Sequence, residues 1–391
     1  MNKILKWLVI PLIVVIIAFA GYFLYQKFIK AKQTPAGITK TQSKIQLTIP
    51  EKILNNKFGF LSGGVKDIKT IKEYGAAWVR PHPGPFLWDA MQDNKDSQID
   101  FVNSDEVVTR YSENELGIVA TIWPFAEWDQ KNHPNYAACR VSDNDEFLPK
   151  NDKKGRGDYL PYHRGNPYDW ASYQNWVMEV VERYDGDGNE DMPNLKIPIK
   201  YWEVMNEPDL ESPEGDQGSR LDFYKGDASD YAQLLIKTSE AIRKADSEAE
   251  ILIAGAAGGN NTFLDFYRSV FKNKKAIAAF DIGNVHCISN DSYDSFNVEP
   301  YKKMLAEFGV KKPIWVTEAE AFIYQDAGSN ATQTFNSVRK ALSLGAQRIF
   351  FTRYEFKQKG EGVKPPLYSA PIKITIKGED PRAAYQKIIG Q

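Results

Sequence analysis

The stretch that decides the fold is Ile199–Leu210, which reads IKYWEVMNEPDL. Its first half is rich in β-branched and aromatic residues, which fit the pleated, half-buried surface of a strand. The strand pattern stops at Asn206-Glu207-Pro208, because proline has no N–H to donate to a sheet. An amide and a carboxylic acid therefore follow directly on an apolar strand. In an eight-stranded α/β barrel this end of a strand carries catalytic groups, although an isolated Asn-Glu-Pro also fits a plain polar turn.

A second stretch, Pro313–Thr317, has the same design, because it reads PIWVT and ends at Glu318. From residue 50 onward, short apolar runs alternate with amphipathic helical patterns, as in a parallel sheet built from βα units. The predicted strands, besides the opening stretch, are Phe58–Leu61, Ala77–Arg80, Ile118–Ile122, Ile251–Gly255, Phe280–Ile288, Pro313–Thr317 and Ile349–Tyr354. We therefore predict an α/β protein with a single (β/α)8 barrel over residues 50–391.

The composition narrows the class of partner. The 49 basic and 51 acidic residues give no basic stripe, so we expect no nucleic acid to bind. Aromatic residues make up 13% of the chain, which suits a sugar-binding surface and a large core equally well. Cys139 and Cys287 are too few for a disulfide framework or a thiolate metal site, and one bridge between them stays open outside the cytoplasm. The four histidines have no ligand spacing that would indicate a metal, and the sequence implies no organic cofactor.

The amino terminus, residues 1–30, indicates a membrane anchor or a signal peptide. Trp7–Leu24 is eighteen residues without a charge, about the lower limit for crossing a bilayer. Lysines flank it on both sides, so the positive-inside rule gives no clear orientation. Cleavage after Ala20 is the alternative, because residues 18–20 have the small-x-small form of a signal-peptidase site. The apolar run continues past that site, which favours an uncleaved transmembrane helix.

Residues 31–49 are polar and contain Pro, Gly and Thr, so they read as a linker between this segment and the barrel. With an anchor or with a signal peptide, the barrel is expected to lie outside the cytoplasm. The protein is then either membrane-anchored with an extracytoplasmic domain or secreted.

The polar strand ends predict a catalytic pair. In a closed ring of strands they fall on one face. Glu207 and Glu318 are 111 positions apart, which spans three βα units, so the two carboxyls meet across the mouth. Glycoside hydrolysis needs such a pair, one protonated and one ionised. Arg80 can hold one glutamate ionised, and His286 can donate to that group or to a sugar hydroxyl. A structural ion pair for Arg80 and a satisfied core position for His286 are the alternatives.

WEVMNEPD and IWVTE resemble the acid/base and nucleophile motifs of clan A of the retaining glycoside hydrolases, a superfamily of (β/α)8 enzymes. VERYDGDG and the closing PRAAYQKII are also similar, so the resemblance covers most of residues 55–391. It implies that Glu207 is the general acid/base and Glu318 the nucleophile, that Asn206 bonds the sugar 2-hydroxyl, and that Arg80 supports the nucleophile. Retention is also implied only by the resemblance. Sequence spacing does not distinguish the short carboxyl distance of retaining enzymes from the long one of inverting enzymes.

Three positions depart from the clan, and they concern the subsite for the donor sugar. Ile288 stands where a tyrosine is common, with Tyr293 further on. Glu320 stands where a glycine often follows the nucleophile, and it is the alternative nucleophile. The eighth strand lacks the tryptophan that usually floors the donor subsite, which leaves Tyr354 as the candidate.

Two further features have open interpretations. Trp88, Trp123 and Trp128 are candidate sugar-stacking platforms, and the alternative is packing beneath the long polar stretch Lys131–Asn166, which we expect over the mouth of the barrel. Asp185–Asp191 has the alternating oxygens of a calcium loop but lacks its glycine and its closing acid, so a solvated turn is favoured.

The sequence therefore predicts a membrane-anchored or secreted retaining glycosidase acting on a β-linked oligo- or polysaccharide, through a glycosyl-enzyme on Glu318 with Glu207 as acid/base. Two alternatives keep the same fold. One is a carbohydrate-binding barrel without turnover, and the other is a transglycosylase acting on cell-surface glycans. The sequence makes no prediction of the oligomeric state, the sugar or the linkage.

Overall fold

The computed structural model describes residues 46–62, 67–149, 159–210, 221–288, 295–320, 327–352 and 381–390. They contain strands β1 Phe58–Ser62, β2 Trp78–Pro81, β3 Gly117–Ile122, β4 Tyr201–Val204, β5 Glu250–Ile253, β6 Gly283–Cys287, β7 Ile314–Ala319 and β8 Ala346–Phe351. All seven ladders are parallel, in the order β5-β4-β3-β2-β1-β8-β7-β6. Parallel bridges Leu252–Ile282 and Ala256–Val285 join the two edges, so the sheet closes into a barrel.

Helices alternate with these strands. They are α1 Glu51–Leu54, α2 Ile68–Tyr74, α3 Trp88–Met91, α4 Val102–Glu113, α5 Glu127–Gln130, α6 Trp170–Glu182, α7 Ala228–Ala245, α8 Asn261–Val270, α9 Lys274–Ala278, α10 Val298–Glu307, α11 Ala327–Ser343 and α12 Pro381–Ile389. The start of α7 shows why it forms there, because Asp227 and Asp230 make a reciprocal capping box. The predicted single (β/α)8 barrel is confirmed.

The predicted amino-terminal anchor and linker up to residue 45 lie outside the described residues, as do Tyr293 and Tyr354. In the part of the chain that the structure describes, no helix combines the length and the apolar character that a bilayer crossing needs.

The barrel interior has an apolar layer at the amino-terminal ends of the strands. This floor layer consists of Trp78, Val119, Leu252, Ile282, Trp315 and Phe350. Ile49 and Ile53 pack against it, so the buried core extends to the last residue of the expected linker. The Arg348 guanidinium lies over the rings of Trp78 and Trp315, 4.3 and 4.6 Å from their centroids. The floor layer closes this end of the barrel.

A polar layer follows directly above it. Because inward-facing side chains on a strand recur every two residues, Trp78 is followed by Arg80, and Trp315 is followed by Thr317. The buried members of this polar layer are Arg80, Thr121, Glu203, Asn284 and Thr317. Charged, amide and hydroxyl side chains therefore replace apolar side chains two residues further along the same strands.

Strand β7 carries one extra residue beside this layer. Trp315 pairs with Asn284 and Glu318 pairs with His286, so three steps along β7 match two along β6. Opposite β8, three steps of β7 again match two. Such a bulge redirects side chains. Trp315 and Thr317 keep the two-residue period, and the bulge brings Glu318 into the barrel beside Thr317.

The long segment after β3 reaches the carboxyl ends of the strands. It is anchored by a buried ion pair in which Arg164 donates to both oxygens of Asp145 at 2.8 and 3.0 Å. Its Phe147 ring packs edge-on against His82, 5.5 Å between centroids, just beyond β2. The described parts of this segment therefore lie where the sequence predicts them, beside the barrel mouth.

Candidate active site

Glu207 and Glu318 lie at the carboxyl ends of β4 and β7, and the barrel brings them together. One carboxylate oxygen of each, with a ring nitrogen of His286, lies within 4.8 Å of the other two. The two glutamates are only 6% and 2% exposed. Residues distant in sequence therefore form one compact, buried group of acids and imidazole.

Arg80 at the end of β2 connects this group. Its Nη1 donates to Glu318 Oε1 at 2.7 Å, its Nη2 to Asn206 Oδ1 at 2.6 Å and its Nε to Glu203 Oε2 at 2.6 Å. The planar guanidinium presents these donors in fixed directions. One side chain is thus both the structural ion-pair partner of Glu203 and the support of Glu318.

The backbone after β4 turns sharply to present Asn206 and Glu207. Met205 and Glu207 have positive φ angles of 70° and 38°, which residues other than glycine rarely adopt. Such positions cost about 1–3 kcal/mol each and cluster at functional sites. Hydrogen bonds from Met205 N to Ile122 O and from Leu210 N to Glu207 O hold the turn. Local strain is thus used to aim the two polar side chains into the mouth.

His286 bridges the two sides of the site. Its Nδ1 lies 2.7 Å from Glu207 Oε1 and 3.7 Å from Glu318 Oε1, and its Nε2 lies 2.8 Å from Thr317 Oγ1. A Cβ at Gly255 would stand 2.0 Å from His286 Nε2, so a glycine after β5 makes room for the ring. The imidazole is held at both nitrogens.

Burial sets the protonation of Glu207. The pKa of this carboxyl is raised to about 7, chiefly by burial and also by the charge of Glu203, while Arg80 and the Asn206 amide oppose the rise. A carboxyl with this pKa keeps its proton near neutral pH, as a general acid requires.

Glu318 and His286 differ from it. Burial raises the pKa of Glu318, and His286 and Arg80 oppose that rise. Burial lowers the pKa of His286 to about 4, with Arg80 acting in the same direction and Glu318 and Glu203 against it. The imidazole is therefore neutral at neutral pH, and the direct bond from Arg80 stabilises the ionised form of Glu318.

No family model matches this chain, and no curated protein matches it. Solved structures share its fold. A glucosidase from Croceicoccus marinus is 12% identical with a TM-score of 0.57, over 88% of this chain and 68% of that one. An endo-β-1,4-mannanase from Thermotoga petrophila is 12% identical with a TM-score of 0.49, over 86% and 77%. A family 10 endo-β-1,4-xylanase from Gloeophyllum trabeum is 16% identical with a TM-score of 0.47, over 78% and 86%.

These structural neighbours are glycoside hydrolases. The fold is the (β/α)8 barrel that such enzymes use. The (β/α)8 fold that the resemblance to clan A implies is confirmed. At 12–16% identity the likeness says nothing of substrate.

Trp88 and Trp123 pack against other side chains and do not present open faces. Trp123 is fully buried, and its Nε1 donates to Pro83 O at 2.6 Å while the Phe223 ring lies against it, 5.8 Å between centroids. Trp88 is buried against Trp128 and two further aromatic rings. The expectation that Trp123 is an open stacking platform is therefore corrected in favour of packing. Trp128 is partly buried and stays a prediction.

The departures from the clan motifs are placed as follows. Ile288 comes directly after β6. Glu320 comes directly after β7 and is buried, and its N–H donates to Cys287 O at 3.0 Å. The Arg80 bond goes to Glu318, which favours Glu318 over Glu320 as the nucleophile. No disulfide joins Cys139 and Cys287, both of which are described.

The sequence analysis did not identify three polar residues of the site, which are Thr121, Asn284 and Thr317. Thr121 Oγ1 donates to Glu203 Oε2 at 2.8 Å, and the two residues pair in register across β3 and β4. Asn284 precedes His286 by two residues, so strand periodicity puts both on one face. That period was the available signal. Glu203 is a paired acid inside the barrel, because both Arg80 and Thr121 donate to its carboxylate.

Among the described residues, two groups bring ligand atoms close enough for a metal ion. In the first, Glu207, His286 and Glu318 already bond to one another or to Arg80, so protein contacts account for these atoms. In the second, Asp185 accepts the N–H of Asp187, and Asp191 accepts two backbone N–H groups at 2.9 and 2.7 Å. The loop is held by its own hydrogen bonds, as in the solvated turn.

Proposed function

We propose that this protein is a glycoside hydrolase that cleaves β-O-glycosidic bonds with retention of configuration, using Glu318 as nucleophile and Glu207 as general acid/base. The observation that carries the proposal is the facing pair of buried carboxyls. One is bonded to Arg80 and the other to His286. Their environments differ as the two roles require.

The approach of the two carboxyls is compatible with retention. Retaining enzymes hold the two carboxyl groups about 5–5.5 Å apart, whereas inverting enzymes need roughly 6.5–9.5 Å to admit a water. Here one oxygen of Glu207 lies within 4.8 Å of one oxygen of Glu318. That approach leaves Glu318 able to attack an anomeric carbon directly, as the retaining mechanism requires.

In the first step, Glu207 gives its proton to the glycosidic oxygen as the bond to the anomeric carbon breaks. Glu318 attacks that carbon and forms a glycosyl ester. In the second step a water attacks the same carbon, its proton passes to Glu207, and Glu318 leaves as a carboxylate. The second step restores the protonation states with which the cycle began.

Asn206 is suited to hold the sugar during both steps. Arg80 fixes its Oδ1, so Nδ2 points the other way. That Nδ2 is buried, and its interaction with the Glu207 carboxyl opposes the rise of that group's pKa. An amide nitrogen carries two N–H groups, and the 2-hydroxyl of a bound sugar would supply a further acceptor.

The substrate is a β-linked oligo- or polysaccharide, and the mechanism uses only side chains of this chain. We propose further that residues 1–30 anchor the protein to a membrane with the barrel outside the cytoplasm, from the apolar run Trp7–Leu24. Fractionation of cells that express the full-length chain tests this: we expect the protein in the membrane fraction, and the barrel digested by protease added outside intact cells or spheroplasts. A soluble, cytoplasmic barrel would contradict it.

Activity assays test the hydrolase. The full-length protein is incubated with aryl β-glycosides and β-linked polysaccharides, beside Glu318→Gln and the matched control Glu320→Gln. We expect sugar release that falls on the order of 10⁴-fold or more in Glu318→Gln and persists in Glu320→Gln. The reverse pattern would move the nucleophile to Glu320. Transfer products alone would indicate a transglycosylase, and binding without any release would indicate a carbohydrate-binding barrel.

A further inference from the structure

The chain of hydrogen bonds behind His286 begins at Glu203. Asn284 Nδ2 donates to Glu203 Oε1 at 2.6 Å. The amide must face this way, because an ionised carboxylate only accepts. Asn284 Oδ1 then points to Thr317, whose backbone N–H donates to it at 3.3 Å. The orientation of the amide is thus fixed from both ends.

The Thr317 hydroxyl has one proton and two acceptors to give it to. Its Oγ1 lies 3.0 Å from Asn284 Oδ1 and 3.3 Å from Glu203 Oε1. Both of these atoms are acceptors in this arrangement. The third neighbour of Thr317 Oγ1 is His286 Nε2 at 2.8 Å. When the hydroxyl donates its proton to either of those two acceptors, Nε2 carries the hydrogen and donates it to Oγ1.

The hydrogen on Nε2 decides what happens at Nδ1. In a neutral imidazole the other nitrogen is an acceptor, and here Nδ1 faces Glu207 Oε1 at 2.7 Å. The acid must then donate, so Glu207 is protonated. If the ring were doubly protonated, Glu207 would be ionised. In both forms one proton is shared between the two residues.

We propose that Thr317 is a positioning residue for the acid/base, because its hydroxyl holds His286 in the Nε2–H tautomer and so keeps a proton on the Glu207–His286 pair. The proposal rests on the proposed function and deepens it. The form with Glu207 protonated and His286 neutral dominates, because burial disfavours separated charges. Glu207 is then loaded as an acid before substrate arrives.

Other titratable groups face this pair. They are Arg80 from β2, His82 after β2, Glu203 from β4, Asp209 after β4 and Glu318 from β7. Glu203 Oε1 also lies 3.3 Å from the Thr317 hydroxyl, a contact that Thr317→Ser keeps and Thr317→Val removes, so the protonation of the His286 ring nitrogens is measured directly.

The tautomer is tested without substrate. Full-length protein labelled with ¹⁵N-histidine contains only four histidines, and NMR distinguishes the protonated from the bare ring nitrogen of each. We expect the Nε2–H form for His286 in the wild type and in Thr317→Ser, which keeps the hydroxyl. Thr317→Val has the same shape without it, and there we expect the hydrogen to move to Nδ1. An Nδ1–H ring in the wild type, or an unchanged ring in Thr317→Val, would overturn the proposal.

Kinetics give the second measurement. In Thr317→Val, an Nδ1–H would donate to Glu207 and stabilise its ionised form, so we expect the alkaline limb of kcat/KM to move down by about one pH unit. At neutral pH, substrates with poor leaving groups should lose about tenfold, while dinitrophenyl glycosides, which need no acid, should lose little. Thr317→Ser should restore both.

Equal losses on both substrates with an unshifted pH profile would reduce Thr317 to a structural residue and overturn the proposal. A wild type inactive on every glycoside would overturn the proposed function instead. The NMR result on the tautomer would stand apart from that outcome, so the two failures are distinguishable.

Discussion

The floor layer and the polar layer of the barrel share strands, and their side chains lie two residues apart along them. The two layers differ in the polarity of the side chains that they bury. The floor layer is apolar, and each large side chain buried there stabilises the fold by about 1.5–3 kcal/mol. The polar layer buries a guanidinium, a carboxylate, an amide and two hydroxyls at the same depth. Only a nearly complete set of hydrogen bonds makes the second arrangement tolerable.

The difference separates stability from chemistry. A change of side-chain volume in the floor layer alters no hydrogen bond of the site. The polar layer, in contrast, fixes the direction of the donors around Glu207 and Glu318. Arg80 is the centre of that arrangement, with three bonds of 2.6–2.7 Å to three residues. Substitutions in the two layers should therefore fail in different ways.

The largest effect is expected from Arg80→Met. It removes the cation and leaves Glu203 and Glu318 buried, so the free energy of unfolding should fall by about 3–5 kcal/mol, and activity should be lost as Glu318 takes up a proton. Urea unfolding and kcat/KM measure the two. Arg348→Met is the control, because that guanidinium lies over the floor rings. It should cost about 0.5–2 kcal/mol and keep activity. Similar losses in both variants would contradict the distinction.

The opposite pattern is expected for Leu252→Ala in the floor layer. The side chain is fully buried, so truncation should cost about 2–5 kcal/mol of stability. The hydrogen bonds of the polar layer are unchanged by this truncation, so kcat/KM should stay at the wild-type value below the unfolding temperature. A loss of activity in the folded variant would show that the layers are coupled.

The third effect depends on pH. Burial raises the pKa of Glu207 from 4.5 to about 7, so folding stability falls as pH rises from 4.5 through 7, where the unfolded chain is ionised and the folded one is not. Glu207→Gln removes that cost. Its melting temperature should exceed the wild type's at pH 8, by the equivalent of about 3 kcal/mol, and match it at pH 4.5, while activity is lost. Equal melting temperatures at pH 8 would indicate an ordinary pKa.

The sequence was most informative where one strand could be interpreted alone. Apolar runs ending in Asn206-Glu207 and in Glu318 predicted the strands, and the parallel closure placed their ends together. It was least informative where neighbouring strands decide the outcome. The bulge in β7, which brings Glu318 beside Thr317, exists only as a mismatch of register with β6 and β8. The burial of Trp123 depends on the ring of Phe223 far along the chain, so no local pattern could reveal it.

The central claim is that Glu318 becomes covalently bound to sugar. A 2-deoxy-2-fluoro aryl β-glycoside, matched to the sugar released in the assays, slows the second step more than the first and should accumulate the glycosyl-enzyme. Peptide mapping by mass spectrometry should then find one fluorosugar on Glu318 in the wild type, and none in Glu318→Gln. A label on Glu320, or hydrolysis that releases the inverted anomer without any label, would contradict the account.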